Sequence, residues 1–312
     1  MDSNNEELSY YQNYAFSDLL NLFWEKKVFI LILSSIFAVS SVIFALSIPD
    51  KYTSYTLVMP KESQSQNSSI TSGLGNIARL TGVPIQNNET DKSRLGIEIL
   101  KSRNFVSNFI NNRDIKIDLM ASNGWNRKEN ILNYDSRLFD QNTKNWINVN
   151  KKDSKEPTLQ EAYKFWMESV FEINKDKATG FVTISIKHFS PVISQRWSSW
   201  LIEDINNVMR EKDLEEASKS LDFLNQKVLL NNNQDMQNLL YVLIQKEMET
   251  EMMAYANDDY VFSVIDPAII PEVKSEPSRS QICFIITLIG FLASLVIVMI
   301  KDIYFPNSKQ SY

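Results

Sequence analysis

The chain has one cysteine, Cys283, among 312 residues. It lies inside an apolar run, so no disulfide can form within the chain in any compartment. There is also one histidine, His188. A Ser-His or Cys-His relay would have to use it, and the lone cysteine is not placed to help. Metal ligation would lack a second histidine and any cysteine cluster. His188 follows a strand pattern and precedes Phe189-Ser190-Pro191, so a structural or surface role is the expectation. Glycine is scarce, with seven in the chain. That speaks against Gly-rich phosphate loops and for long regular elements. Gly73 to Pro84 has no Lys-Ser or Lys-Thr at P-loop spacing and reads as a packed loop. The net charge of −6 comes without a basic stripe, which leaves out nucleic acid. Glu215-Glu216 and Asp258-Asp259 are adjacent pairs; neighbours on a helix do not face each other, so these are solvated rather than a catalytic dyad. No catalytic residue, cofactor site or metal site is expected.

What the chain does have is two long uncharged apolar runs, Val28 to Ile48 and Ile282 to Ile300. Each is near the roughly 20 residues needed to cross bilayer hydrocarbon. The first could be a signal peptide, with Ala45-Leu46-Ser47 as a weak cleavage site. It is longer than the 7–15 residues or so of such a core and follows a long acidic tail, which favours an uncleaved anchor. Lys26 and Lys27 precede the first run and Lys301 follows the second, so the positive-inside rule places both termini in the cytoplasm. The expected division is a cytoplasmic tail 1–27, a span 28–48, a periplasmic domain 49–280, a span 281–300 and a cytoplasmic tail 301–312. Ser17-Asp18 ahead of Leu19, Leu20, Leu22 and Phe23 suggests a short helix with an N-cap at the membrane surface.

Between the runs the pattern is mixed, an α+β domain with a long extended helix. Lys51 to Met59 is rich in Tyr, Thr and Val and reads as a strand ended by Pro60. Leu95, Ile99, Val106, Phe109 and Ile110 mark one helix over 90–110. Leu159, Ala162, Tyr163 and Trp166 share the face of another over 158–169. Val170–Ile173 and Phe181–Lys187 form a β-hairpin. From Val192 to Asp266 there is neither Gly nor Pro. Here Trp197, Leu201, Ile205 and Val208 make an apolar stripe, with Trp197 and Trp200 expected against the sheet. Leu214, Ala217, Leu221, Leu224 and Val228 then step as a heptad seam, an assembly element within one protomer or between protomers. Asn231-Asn232-Asn233-Gln234-Asp235 interrupts it as a bend or break in a long helix over about 192–256, and Met236, Leu239, Leu240 and Leu243 resume it. Met248, Met252 and Met253 are assigned to coiled-coil packing rather than to an adaptable interface.

Val261 to Ile265 is a short strand. Pro267, Pro271 and Pro277 then forbid regular structure and make a stiff collar before the second run. Inside that run Gly290 and Ser294 lie on one helix face, where small residues let another helix approach. The first run, with Ser34 and Ala38 at the same spacing, a neighbouring copy or another membrane protein could be the partner.

These pieces, in this order, resemble the Wzz chain-length determinant family, the polysaccharide co-polymerases of the bacterial inner membrane. The carrying residues are Ile48-Pro49 with Tyr52; Phe181 to Ile186 with His188, Ser190, Pro191, Trp197, Asn206 and Arg210; and Ala217 to Leu224. The most specific are Asp266, Pro267, Ala268, Pro271, Pro277 and Arg279. The resemblance implies an α/β base near the membrane, a long outward helix and a ring-shaped homo-oligomer. It implies a non-catalytic role in setting the modal length of O-antigen made by a Wzy-type polymerase on undecaprenyl-linked repeats. The short segment after Lys301 has no Walker-type motif, unlike relatives fused to a tyrosine kinase. The alternative reading is the membrane adaptor of a separate tyrosine autokinase in capsule or exopolysaccharide export.

Overall fold

The structure, a computed structural model, describes residues 22–61, 91–147 and 156–304. In chain order it runs α1 (Lys27–Ser47), β1 (Tyr52–Pro60), α2 (Asp91–Lys101), α3 (Arg103–Asn112) and α4 (Lys116–Met120). Then come β2 (Ser122–Asn126), β3 (Ile131–Tyr134), β4 (Phe139–Asp140), β5 (Asn145–Trp146) and α5 (Leu159–Phe165). The last elements are β6 (Phe171–Lys175), β7 (Val182–His188), α6 (Pro191–Leu230), α7 (Gln234–Ala256), β8 (Phe262–Asp266) and α8 (Arg279–Tyr304). They form two units, residues 1–50 with 275–312, and residues 51–274. The short helix expected at Ser17-Asp18 and the loop Gly73 to Pro84 lie outside the described residues.

The first unit is a pair of antiparallel helices. α1 and α8 are the two described helices long and apolar enough to cross a membrane. α8 has 26 residues, about 39 Å at 1.5 Å per residue. The hydroxyls in α1 do not break its apolar character. Ser34, Ser35, Ser41 and Ser47 donate to the carbonyls of Ile30, Leu31, Ala38 and Phe44, so these four hydroxyls are satisfied inside their own helix. α1 stops where Ile48 turns extended ahead of Pro49.

The second unit is built on β1. The sheet is antiparallel, in the order β6-β7-β1-β8. Tyr52 opposes His188 and Val58 opposes Val182, while Pro60 opposes Phe262 on the other side. Period-two alternation turns Ser54, Thr56 and Val58 inward, beside Ile184 and Ile186. α6 lies on this face. Its Ser194 and Ser198 are fully buried, and Ser198 Oγ meets Thr56 Oγ1 at 2.7 Å. Trp197, Leu201, Ile205 and Met209 fill the core. The sequence stripe ended at Val208, which is exposed. Met209 takes its place because the buried row on α6 steps by four.

Two helices differ from their expected extent. The helix over 90–110 is broken at Ser102, whose hydroxyl accepts from Phe105 N and caps α3. On α2, Ile97 and Leu100 are buried and Leu95 is exposed. The element over 158–169 begins with a capping box between Thr158 and Glu161. It ends in a π-helical turn, Trp166–Val170. The extra residue per turn sets Trp166 into the core, with ring centroids 5.3 Å from Phe109 and 5.8 Å from Trp197.

α6 and α7 form a helical hairpin. Ser190 caps α6 and Pro191 opens it. The asparagines at 231–233 are the break, with Asn233 accepting from Asp235 N and Met236 N to cap α7. The long element over 192–256 is therefore two helices of 40 and 23 residues. α7 runs back along α6 until Asn257 O accepts from Arg210 Nη1 at 3.3 Å. Beyond Arg210 about 20 residues of α6 reach past the sheet, roughly 30 Å. Ala217 and Leu224 are buried, and Leu214, Leu221 and Val228 half-buried, on the side that α7 covers. Met248, Met252 and Met253 are exposed and take no part in that seam. They sit on α7 faces turned away from α6.

Candidate functional site: paired spans, collar and hairpin

Small residues make the contact between α1 and α8. Gly290 and Ser294 are buried, and so are Ile30, Ser41 and Ala45 of α1. A Cβ on Gly290 would come within 2.8 Å of Phe37 Cδ2 and closer still to its Cβ and Cγ. Phe37 therefore fills the gap that a missing side chain leaves. Sequence spacing singled out Ser34 and Ala38, which are half-buried; the residue against Gly290 is the bulky Phe37 between them. At one end of the pair, Arg279 Nε donates to Ala45 O at 3.2 Å and Nη2 to Asp50 Oδ1 at 2.8 Å. A guanidinium thus caps the C-terminal turn of α1, where the helix dipole favours positive charge. At the other end Lys301 Nζ lies 5.6 Å over the Phe29 ring and Lys27 Nζ 4.8 Å over Trp24. Both lysines sit at the same end.

The collar is divided between the two units. Asp266 ends β8 and is exposed with Pro267, while Ala268 is buried. Ala268 O accepts from Gln195 Nε2, and Ile269 O accepts from Ser54 Oγ at 2.8 Å. Pro271 is half-buried in the same unit; Pro277, after a cis peptide bond, and Arg279 belong to the span unit.

A polar row on α6 ties the hairpin to β8. Buried Asn206 accepts from Val261 N and Phe262 N, each at 2.9 Å, and donates to Phe262 O at 2.9 Å. One turn on, Arg210 holds the end of α7. Next, Asp213 accepts from Lys92 Nζ and from Tyr260 OH, each at 2.6 Å. Burial, and then the bond to Asp213, push the Tyr260 phenol above its ordinary value. Asn206 and Arg210 came from the family resemblance, whereas Asp213 was missed. Its signal is a carboxylate four residues from both Met209 and Ala217, on the buried line of the helix.

His188 is buried beside β2. Its Nδ1 accepts from Ser190 N at 3.1 Å, and Nε2 lies 3.2 Å from Asp118 O. The ring packs 4.8 Å from Trp197. Burial depresses its pKa to about 4, so the ring is neutral near pH 7. Burial raises the Asp118 carboxyl despite the bond from Tyr134 OH at 2.6 Å. Trp200 lies at the core's edge, with Arg113 5.1 Å and Arg196 5.8 Å over its ring. An open cleft of about 400 Å³ runs between α6 and β8, lined by Glu203, Asn207, Arg210, Asp258, Asp259 and Pro267 among others. Among the described residues no three His, Cys, Asp or Glu gather closely enough to hold a metal ion. Glu215 and Glu216 pair with Lys219 and Lys212 on the solvent face of α6.

The family comparison bears on this arrangement. Residues 15–113 match the family model for Wzz, the chain length determinant protein. That is the family the sequence resembles. The Wzz match takes in α1, β1, α2 and α3. No curated protein matches the chain. One solved structure, described as a full-length bacterial polysaccharide co-polymerase, is similar at 11% identity with a TM-score of 0.40. The similarity covers 95% of this chain and 100% of that one.

Proposed function

We propose that this protein regulates the modal chain length of O-antigen, or of a related surface polysaccharide, made by a Wzy-type polymerase. It acts as a non-catalytic scaffold in the bacterial inner membrane, a ring-shaped homo-oligomer that meets the polymerase and its undecaprenyl-linked product. The observation that carries this reading is the Wzz match across α1 and β1 together with a second apolar helix packed against α1. Lys27 and Lys301 at one end of that pair favour cytoplasmic termini, with residues 49–280 periplasmic. Many equivalent weak contacts around a ring would suit a growing polymer.

Deleting the gene and running the cell's lipopolysaccharide on a gel tests the function. Polymer should persist without a preferred length. Complete loss of polymer would mean that the chain is needed for synthesis itself, and the reading would fail. Topology is tested in a Cys283→Ser background. Leu229→Cys should react with an impermeant maleimide once the outer membrane is opened, and Ser308→Cys should react only after lysis.

A further inference from the structure

We infer that Ile269, Ile270 and Val273, the apolar side chains of the collar, rest on the surface of the lipid bilayer. The inference rests on the reading of α1 and α8 as membrane spans and adds a third place where the chain meets lipid.

The three side chains are 70, 51 and 76% exposed. The backbone just before them is pinned to the 51–274 unit, with Ala268 O held by Gln195 of α6 and Ile269 O by Ser54 of β1. So anchored, the segment leaves its unit with these side chains outward. Aliphatic groups gathered this closely in water mark a contact surface. The covalent chain says what lies within its reach. Arg279 and Asp50 pair at 2.8 Å, so the chain leaves α1 and enters α8 at neighbouring points. Ser54, which holds Ile269, is four residues from Asp50, at most about 14 Å of chain. Val273 is six residues from Arg279, at most about 22 Å. Both limits follow from connectivity and hold for any orientation of the 51–274 unit. The patch is thus tied twice to the level at which the apolar spans begin.

The chemistry of the segment selects lipid over protein. Residues 267–275 form neither helix nor strand. Pro267 and Pro271 have no N–H to give, so a strand of a second copy cannot extend the sheet along them. Without a helix the apolar residues make no stripe for another helix to pack along. A fluid surface asks for neither kind of register, and it is present wherever α8 is inserted. The charges set the depth. Glu272 and Glu276 are exposed on either side of Val273, and Lys274 is half-buried. Ionised carboxylates do not enter hydrocarbon. The contact therefore stays at the boundary of headgroup and acyl chain, and zwitterionic lipid suits it better than anionic lipid.

The test uses the full chain in phosphatidylcholine nanodiscs, with a nitrobenzoxadiazole label on single cysteines in the Cys283→Ser background. A lipid bearing a nitroxide near the top of its acyl chain quenches labels that touch the bilayer. Ile270→Cys and Val273→Cys should each be quenched about threefold more than Leu229→Cys, which is 84% exposed at the end of α6. Phe284→Cys, within the first turns of α8, reports whether that helix is in lipid. Ile269→Asp with Val273→Asp should cut the quenching at Ile270→Cys about twofold. Melting should not change, because these side chains lie outside the core. An unquenched Phe284→Cys would overturn the span reading and this contact with it. Quenching at Phe284→Cys, with residues 270 and 273 no different from Leu229→Cys, would overturn the contact alone. Quenching at Ile270→Cys that survives both aspartates would show nearness without contact and would overturn it too. Blue-shifted but unquenched emission at 270 and 273 would mean that protein covers the patch, which would overturn lipid as its partner.

Discussion

The α1–α8 pair and the α6–α7 pair are both antiparallel, and both bury side chains every three to four residues. Their outward faces are chemically opposite. In the span pair the buried positions include Gly290, Ser294, Ser41 and Ala45, while large side chains such as Phe284, Leu288 and Ile297 face outward. In the hairpin Leu224 and Leu240 are inside, while Glu215, Glu216 and Lys219 face outward. Water separates the two designs. Around the hairpin it drives Leu and Ala together at about 25 cal/mol per Å². Lipid is as apolar as Leu, so nothing drives large side chains inward, and close approach of backbones decides the contact. What distinguishes the two pairs is the outward face, large and apolar on one and charged on the other, since both bury small residues, Ala45 and Gly290 in the first and Ala217 and Ala254 in the second.

The largest effect expected from breaking that contrast is at Leu224. Leu224→Asp puts a carboxylate into the hairpin seam and should cost about 4 kcal/mol. Hydrogen exchange should show the amides of 214–250 losing protection. The amides of α1 and α8 should be unchanged, since they belong to the other unit.

Acid should separate the two regions by about 3 kcal/mol. The folded state holds His188 near pKa 4, below its unfolded value of about 6.5. The unfolded chain therefore binds more protons between those values, and stability falls as pH drops from 6.5 towards 4. Asp118, raised by burial, works in the opposite direction near the acid end and blunts the loss there. Denaturation of the 51–274 region followed by tryptophan fluorescence at pH 7 and pH 4.5 measures the slope. His188→Asn should flatten it.

In the span pair Gly290→Leu should cost about 2 kcal/mol by overlap with Phe37. Adding Phe37→Ala should recover most of that, which simple loss of apolar content would not. Helix proximity read by a fluorescence pair at residues 28 and 300 in nanodiscs checks both. If length control depends on this contact, Gly290→Leu should also broaden the O-antigen ladder at matched expression.

The smallest effect belongs to Arg279. Its pair with Asp50 is one-third exposed on both sides, so Arg279→Gln should cost less than about 1 kcal/mol and the cost should shrink in salt. A loss well above that would place the ion pair in a drier setting than its exposure indicates.

Much of the frame was legible in the sequence because each local signal acts alone. Two uncharged runs give two long helices, alternation over 181–187 gives a strand, and three consecutive asparagines end a helix. The failures have a common cause. Leu95 was read as core and Ile97 was not, because apolar residues at both positions fit a helical period. Val208 displaced Met209 for the same reason. The methionines at 248, 252 and 253 were placed in a seam that turned out to lie on another face. Periodicity finds a stripe, and it does not say what the stripe meets.

The sequence alone determined most of the helices and strands outside 115–147, the two apolar spans and the break between α6 and α7, since these follow from composition, caps and spacing over a few residues. Tertiary structure decided which faces close. It set Phe37 against Gly290, drew Asp213 between Lys92 and Tyr260, and made Asn206 the clamp on β8 from 55 residues away. Those pairings join groups far apart in the chain. Their partners are chosen by burial and hydrogen-bond geometry that exist only once the chain has folded.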